Sequence, residues 1–401
     1  MNLKIEKPIV YVSRDIERAL GMEPENSYFV ISNDSKYGRE VQKKYPNNVW
    51  LIKDLDGILD TYDLLLRPEA QKIISEHGAS VLVFQNTPRI ERLAREKGWS
   101  LLNPSAKLAK EVEEKISQIK WLGPDAKLLP PHKIVLVKNV KCDGKKFVLQ
   151  FNHSHTGEGT YVIDTSLKLE ELREKFPERE CRVVNFINGP VFTVNAVVAG
   201  KKVLVGNPSY QITGLAPMTD LPFSTIGNDF ALPHDPRYRK IRGEIGIIAL
   251  NIGERMAKSG WKGLFGIDII YDEKAGKTYL LEINARQPAS AVFESKLQKK
   301  SVSKSDSNGV SVFEAHVLAL LGEPVIGELT SVPSGGQIVK RVTEKDFKTD
   351  IVSLRKRGLD VIEYENDIHN RELFRIQSGE GIMKGHGKLN DLGNFIASCI
   401  R

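Results

Sequence analysis

Cysteine is scarce in this sequence. Cys142, Cys181 and Cys399 are the three in 401 residues, scattered and without a CxxC pair. That argues against a disulfide-stapled secreted scaffold and against a zinc ribbon, and makes a reducing, cytoplasmic setting the expectation. No apolar run approaches the roughly 18 residues of a membrane helix, and the opening Met1-Asn2-Leu3-Lys4-Ile5-Glu6-Lys7-Pro8 lacks the apolar stretch of a signal peptide. There is no arginine-rich tract, basic helix or aromatic-basic platform, so neither nucleic acid nor membrane is an expected partner. No GxGxxG follows the first strand pattern, which leaves a dinucleotide site of that kind unsupported.

What is present fits a globular chain. Hydrophobic residues make up 41% and charged residues 27%, enough for a sizeable core without staples. At roughly 100–200 residues per domain the length predicts two to four domains. The net charge of +7 is a mild excess that suits an anionic ligand.

Apolar runs near residues 8–12, 28–31, 49–52 and 81–84 read as buried strands, with helices at about 69–77 and 88–98. That alternation implies a parallel sheet covered on both faces. A charged helix is expected over 105–121, stopped by Gly123-Pro124. A β-rich stretch follows Pro130-Pro131, with strands at 134–138, 147–151, 160–163, 182–187, 191–198 and 202–206. Next come a helix over 236–259, strands at 264–271 and 278–283, and a helix over 310–321 ended by Gly322. Lys299–Gly309, rich in Ser and Lys, reads as a loop. Strands near 337–342, 360–364 and 373–377 suggest a small terminal α+β unit. The boundaries drawn are 1–110, 111–190, 191–330 and 331–401.

The strongest chemical pattern is Gly266-Ile267-Asp268-Ile269-Ile270-Tyr271 followed by Tyr279-Leu280-Leu281-Glu282-Ile283-Asn284-Ala285-Arg286. Strand alternation puts Ile267, Ile269, Tyr271, Tyr279, Leu281 and Ile283 on an apolar face. Asp268, Glu282, Asn284 and Arg286 fall on the other. A hairpin centred on residue 275 sets Asp268 opposite Glu282. Two carboxylates and an amide oxygen suit Mg²⁺ together with phosphate oxygens, and the arginine suits a developing anion. A second pattern is strand 147–151, then Asn152-His153-Ser154-His155-Thr156-Gly157-Glu158-Gly159, then strand 160–163. Such a turn wraps phosphates with backbone N–H groups, or simply turns. His153 and His155 have no third ligand nearby, which disfavours a metal there.

In this order the features resemble the ATP-grasp superfamily, in particular the branch of biotin carboxylase, carbamoyl-phosphate synthase and amino-acid ligases, over about residues 1–325. The resemblance implies an α/β and α+β chain: a Rossmann-like pre-ATP-grasp domain (1–110), an ATP-grasp N-terminal lobe with the glycine-rich loop (111–190), a C-terminal lobe with the Mg-binding hairpin (191–330) and a small α+β domain (331–401). It implies ATP and Mg²⁺ (or Mn²⁺) as cofactors. Nucleotide contacts would come from Lys115, Gln150, His155, Thr156, Gly157 and Gly159, and from the inter-lobe residues Val184, Asn185, Phe186 and Ile187. The metal would be held by Asp268, Glu282 and Asn284, with Arg286 stabilising an acyl phosphate. The activity implied is ATP-dependent joining of a carboxylate to an amine or thiol, with release of ADP and phosphate; the partners are then small molecules, and a homodimer is common in the family. Substrate contacts are expected from Asn207-Pro208-Ser209-Tyr210-Gln211 and from 287–310.

Two residues depart from the family pattern. Gln150 stands where many members have a second phosphate lysine, and Val184 where a glutamate often meets the adenine amino group. His153, His155 and Arg182 are the candidates to compensate for the lysine. Two other readings stay open: activation of bicarbonate, as in biotin carboxylase but without a Met-Lys biotin attachment sequence in this chain, and a non-catalytic ATP-binding protein. The bland alternatives are a solvated Lys115, a Gln150 without ligand contact, and an Arg286 that merely pairs with Glu282.

Overall fold

The computed structural model describes residues 5–55, 57–152, 159–302, 309–344 and 348–400. The chain opens with a parallel sheet in the order β3-β2-β1-β4, built from β1 (Ile9–Val12), β2 (Tyr28–Asn33), β3 (Val49–Ile52) and β4 (Ser80–Val83). Successive residues of β1 enter two different cores. Ile9 and Tyr11 face one, Val10 and Val12 the other, so the strand is apolar throughout rather than alternating. Helix α1 (Lys36–Lys44) connects β2 to β3, α2 (Thr61–Leu66) and α3 (Pro68–Glu76) connect β3 to β4, and α4 (Pro88–Lys97) follows β4. The first two are additions to the helices expected from sequence.

The charged helix expected over 105–121 is instead two, α5 (Ala106–Glu113) and α6 (Ser117–Leu122), broken at Glu114-Lys115-Ile116. The cause lies far along the chain. The Asn152 side-chain carbonyl accepts the N–H groups of Ile116 (2.8 Å) and Ser117 (3.3 Å), and its amide donates to Glu114 Oε2 (2.6 Å). A side chain thus supplies the acceptor that a continuous helix would supply from its own backbone.

A small antiparallel sheet follows, in the order β5-β8-β6-β7: β5 (His132–Leu136), β6 (Phe147–Phe151), β7 (Thr160–Ile163) and β8 (Glu180–Asn185), backed by α7 (Ser166–Lys175). The rest of the chain builds a large sheet from β9 (Val191–Ala199), β10 (Lys202–Val205), β11 (Ser209–Thr213), β12 (Thr225–Asp229), β13 (Gly263–Asp272), β14 (Lys277–Asn284), β15 (Gly336–Arg341), β16 (Asp360–Glu363) and β17 (Glu372–Ser378). Its order is β14-β13-β9-β11-β12-β15-β17-β16, with β10 beside β9. Because β12 pairs with β15, the strands beyond residue 331 extend the sheet that carries the hairpin. Helix α8 (Arg239–Lys258) covers the sheet with Ile241, Ile245, Ile248, Ile252 and Met256, a helical stripe packed on Phe192, Val194, Phe265 and Ile267.

One further correction concerns the segment 291–302. Lys296, Lys299 and Lys300 lie on a helix, α9 (Ala291–Val302), not in a loop, because Val292, Phe293 and Leu297 anchor it in the interior. Lys304 lies outside the described residues. Helix α10 (Val312–Leu321) is buried on two sides: Phe313, Val317 and Leu320 pack on the first sheet, Val312, Ala315 and Ala319 on the large one. It ties the pre-domain to the hairpin lobe. A capping box at Ser311/Glu314 starts it and Gly322, at φ 78°, ends it. Among the described residues no helix is long and apolar enough to cross a membrane.

Candidate active site

The hairpin forms in the expected register, with Asp268 opposite Glu282 and Ile267 opposite Ile283. A bulge then shifts the pairing, so that Ile269 meets Leu280. Beyond it the faces exchange: Leu280 enters the core and Leu281, expected inside, is half-exposed. The bulge sits beside the acidic pair, and β13 is held in turn by β9 on its other edge.

That edge brings a residue the sequence reading passed over. Thr193 on β9 is level with Asp268 and donates its hydroxyl to Asp268 Oδ1 at 2.7 Å. The Asn284 amide donates to Asp268 Oδ2 at 3.3 Å. Both partners are neutral. Burial first, then the neighbouring Glu282, pushes the Asp268 carboxyl above the usual carboxylate range. Glu282 goes the other way. Burial works to raise it, but Lys115, Arg286 and Arg182 outweigh that and hold it low.

Lys115 sits in the break between α5 and α6, 4% exposed, with Nζ 3.1 Å from Glu282 Oε1. It is therefore buried against the acidic hairpin, not on a solvated helix face. Arg286 does not pair directly with Glu282. Its Nη1 donates to Glu113 Oε1 at the end of α5. Burial opposes its charge, but Glu113 and then Glu282 raise it above its ordinary value. Glu113 and Asn152 were visible in the sequence only as neighbours of the Lys115 and glycine-turn motifs. Nothing local marked Thr193, whose role depends on sheet register.

The small lobe reaches the hairpin through Arg182, whose charge acts on Glu282. On β6, Phe147, Leu149 and Phe151 enter the core under α7, leaving Val148 and Gln150 on the other face; on β8, Cys181 and Val183 are inside, leaving Arg182 and Val184. Gln150 lies level with Arg182, and Val148 with Val184. The Val184 backbone is flanked in the ladder by β5 and β6, and the Asn185 N–H donates to Pro131 O at 3.3 Å. Phe186 and Ile187 follow after the strand has ended. Gly159, at φ 90°, leads into β7, and its carbonyl accepts the Phe151 N–H at 2.8 Å. His155, Thr156 and Gly157, like His153, lie outside the described residues. Of the segment expected to meet substrate, Asn207 instead binds buried Glu294 (2.9 Å), Ser209 is internal and Tyr210 packs in the core.

Two facing carboxylates and an amide are hard oxygen donors, and the burial and Glu282 repulsion that lift Asp268 are what a divalent cation would offset. The residues present thus fit Mg²⁺ shared with phosphate oxygens. Among the described residues no cluster of three or more His, Cys, Asp or Glu side chains offers an all-protein metal cage.

No protein-family model and no curated protein matches the sequence. Solved structures do match its shape. An N5-carboxyaminoimidazole synthetase from Staphylococcus aureus superposes with a TM-score of 0.64 at 11% identity, covering 99% of this chain and 98% of that one. The synthase from Aspergillus clavatus in complex with ADP and 5-aminoimidazole ribonucleotide gives 0.62 at 14% identity over 92% and 93%. An L-amino acid ligase from Bacillus licheniformis gives 0.60 at 14% identity over 94% of each chain. Identity this low speaks for architecture alone, and the architecture is the one the Glu282-Ile283-Asn284-Ala285-Arg286 motif led us to expect: the chain has the ATP-grasp fold.

Proposed function

We propose that the protein is an ATP-dependent ligase that joins a small carboxylate to an amine or thiol by way of an acyl phosphate, releasing ADP and phosphate. The observation that carries this reading is the convergence of Asp268, Glu282 and Asn284 with Lys115 and Arg286 between the two lobes. Bound Mg·ATP would supply an activated phosphoryl group, with the metal drawing off phosphate charge.

The chain's own residues account for the rest. Asp268, Glu282 and Asn284 hold the cation, and Thr193 fixes the Asp268 carboxylate for it. Lys115 lies beside this acidic pair and turns from Glu282 to the phosphates. Phe186 and Ile187, just past the end of β8, offer backbone groups to adenine. Arg286, positioned by Glu113, faces the anionic reacting group and stabilises the acyl phosphate until the amine captures it. Much of the rate would come from positioning.

The test is ADP release over pooled amino acids, small carboxylates and bicarbonate, with products read by mass spectrometry. Substrate-dependent release is expected to fall by orders of magnitude in Glu282→Ala and in Arg286→Ala. Unchanged turnover in both would sink the reading. Stimulation by bicarbonate alone would move it to the bicarbonate-activating alternative.

A further inference from the structure

The lysine that ATP-grasp proteins often carry on the strand before the glycine-rich loop is absent here, and the geometry of the small lobe says where its charge has gone. Across the site-facing surface of the sheet, one row runs Ile134, Arg182, Gln150, Thr160 on β5, β8, β6 and β7. Arg182 is 3% exposed. Its Nε and Nη2 both donate to Gln150 Oε1, at 2.9 and 2.7 Å, and Nη1 reaches Gln118 Oε1 at 3.5 Å. The Gln118 side chain is itself fixed, because its Nε2 donates to Val112 O at 2.9 Å. The guanidinium is therefore clamped in one plane by two neutral amides.

A buried cation costs free energy unless an opposite charge balances it. Among the described residues no carboxylate lies within ion-pair distance of Arg182. The charge that acts on it is Glu282, and Glu282 is bound to Lys115. Burial pulls the guanidinium down to about 10, which still leaves it charged at neutral pH. A buried charge that the fold balances only through a more distant carboxylate, itself shared with Lys115, points to a ligand anion. A guanidinium has five N–H donors in a fixed fork; three are engaged in the amide clamp, and two are left for oxygens of that anion.

We propose that Arg182 replaces the missing lysine as the small lobe's contact to the nucleotide phosphates, and that Gln150 is the residue that positions it. This rests on the ATP reading above. The two departures are then one change. Gln150 and Arg182 are direct cross-strand partners, and like charges at such positions repel, so a lysine at 150 would oppose the arginine at 182. An amide oxygen accepts two of the arginine's hydrogen bonds instead. The positive charge has moved from one strand to its neighbour and kept the same row of the sheet.

The test is calorimetric titration of the full chain with Mg·ADP and, separately, with adenosine, which lacks the phosphates. Arg182→Gln is expected to weaken Mg·ADP at least tenfold and to leave adenosine within about twofold. Gln150→Lys is expected to weaken Mg·ADP too, through repulsion. The double variant Q150K/R182Q, which returns the charge to β6, should recover to within about threefold of the unmodified chain. Mg·ADP binding unchanged in Arg182→Gln overturns the proposal, as does equal loss for ADP and adenosine, or a double variant no tighter than Arg182→Gln. If Arg182→Gln does not fold, the double variant decides alone: near-native affinity supports the exchange and lost affinity overturns it. An unmodified chain that binds neither Mg·ADP nor Mg·ATP overturns the ATP reading and this proposal with it, whereas tight binding with an indifferent Arg182 overturns this proposal only.

Discussion

Among the described residues, two knots of interior charge are built on opposite plans. One is the hairpin site. The other joins the turn Ile16–Ala19 after β1 to β17 and to Tyr364, just past β16. There Arg375 Nη2 pairs with Glu372 Oε2 at 2.6 Å and Nε donates to the Tyr364 hydroxyl at 3.1 Å. That hydroxyl donates to Glu17 Oε1 at 2.8 Å, and Arg18 lies 3.8 Å from Glu372. Burial works to raise Glu372, yet Arg375 and then Arg18 hold it down at about 2. At the hairpin, by contrast, Asp268 has only a hydroxyl and an amide for hydrogen-bond partners among the described residues and is pushed up by burial, then by Glu282. The second knot is closed by its own cations and fastens the pre-domain to the last strands. At the first, Asp268 has no cation at ion-pair distance among the described residues, whereas Glu17 of the second, also pushed up by burial, has Arg18 at 3.9 Å; on that difference we propose a ligand site at the first and a fastening at the second.

The largest expected effects separate the two directly. Asp268→Asn removes a repelled charge, so the melting temperature without ligand should hold or rise, while ADP release falls at least about a hundredfold and stabilisation by Mg·ATP disappears. Turnover retained in this variant would break the distinction. Arg375→Met should do the reverse. Removing one partner of a buried pair costs about 3–5 kcal/mol, read by urea unfolding, and the loss of ADP release should track the loss of folded protein. The sign of its pH dependence follows from Glu372. A carboxyl held below its unfolded value of 4.5 contributes stability that is present above that value and lost as pH falls towards about 2. The unmodified chain should therefore lose stability across that window, and Arg375→Met should lose less there.

How much of this the sequence disclosed follows the range of the interactions. The hairpin register, the acidic pair and the helix stop at Gly322 were readable because strand alternation and glycine punctuation act within a few residues. The break at Lys115 was not, because the group that makes it, Asn152, lies 36 residues from Ile116, whose N–H it accepts. The bulge reversed the face of Leu281 against strict alternation. Thr193 joined the site only through the pairing of β9 with β13, and Glu113 through its grip on Arg286. The second charge knot was invisible for the same reason: Glu17 and Tyr364 are 347 positions apart.

Two hydroxyls each hold one carboxylate, Tyr364 on Glu17 and Thr193 on Asp268. Tyr364 donates to Glu17, which is buried and pushed upward by that burial and by Asp15. Tyr364→Phe leaves that acceptor without this donor and frees the Arg375 Nε, at a cost of about 1–3 kcal/mol in urea unfolding. Affinity for Mg²⁺ nucleotide should not change. Thr193→Val removes the donor to Asp268 Oδ1, and there the consequence should fall on the ligand instead. The carboxylate loses its orientation, so the Mg²⁺ concentration for half-maximal stabilisation by ATP should rise severalfold, with a smaller change in urea stability than Tyr364→Phe produces. If Thr193→Val lowers stability as much as Tyr364→Phe and leaves the Mg²⁺ requirement alone, the hairpin is a fastening like the other knot, and the contrast between them fails.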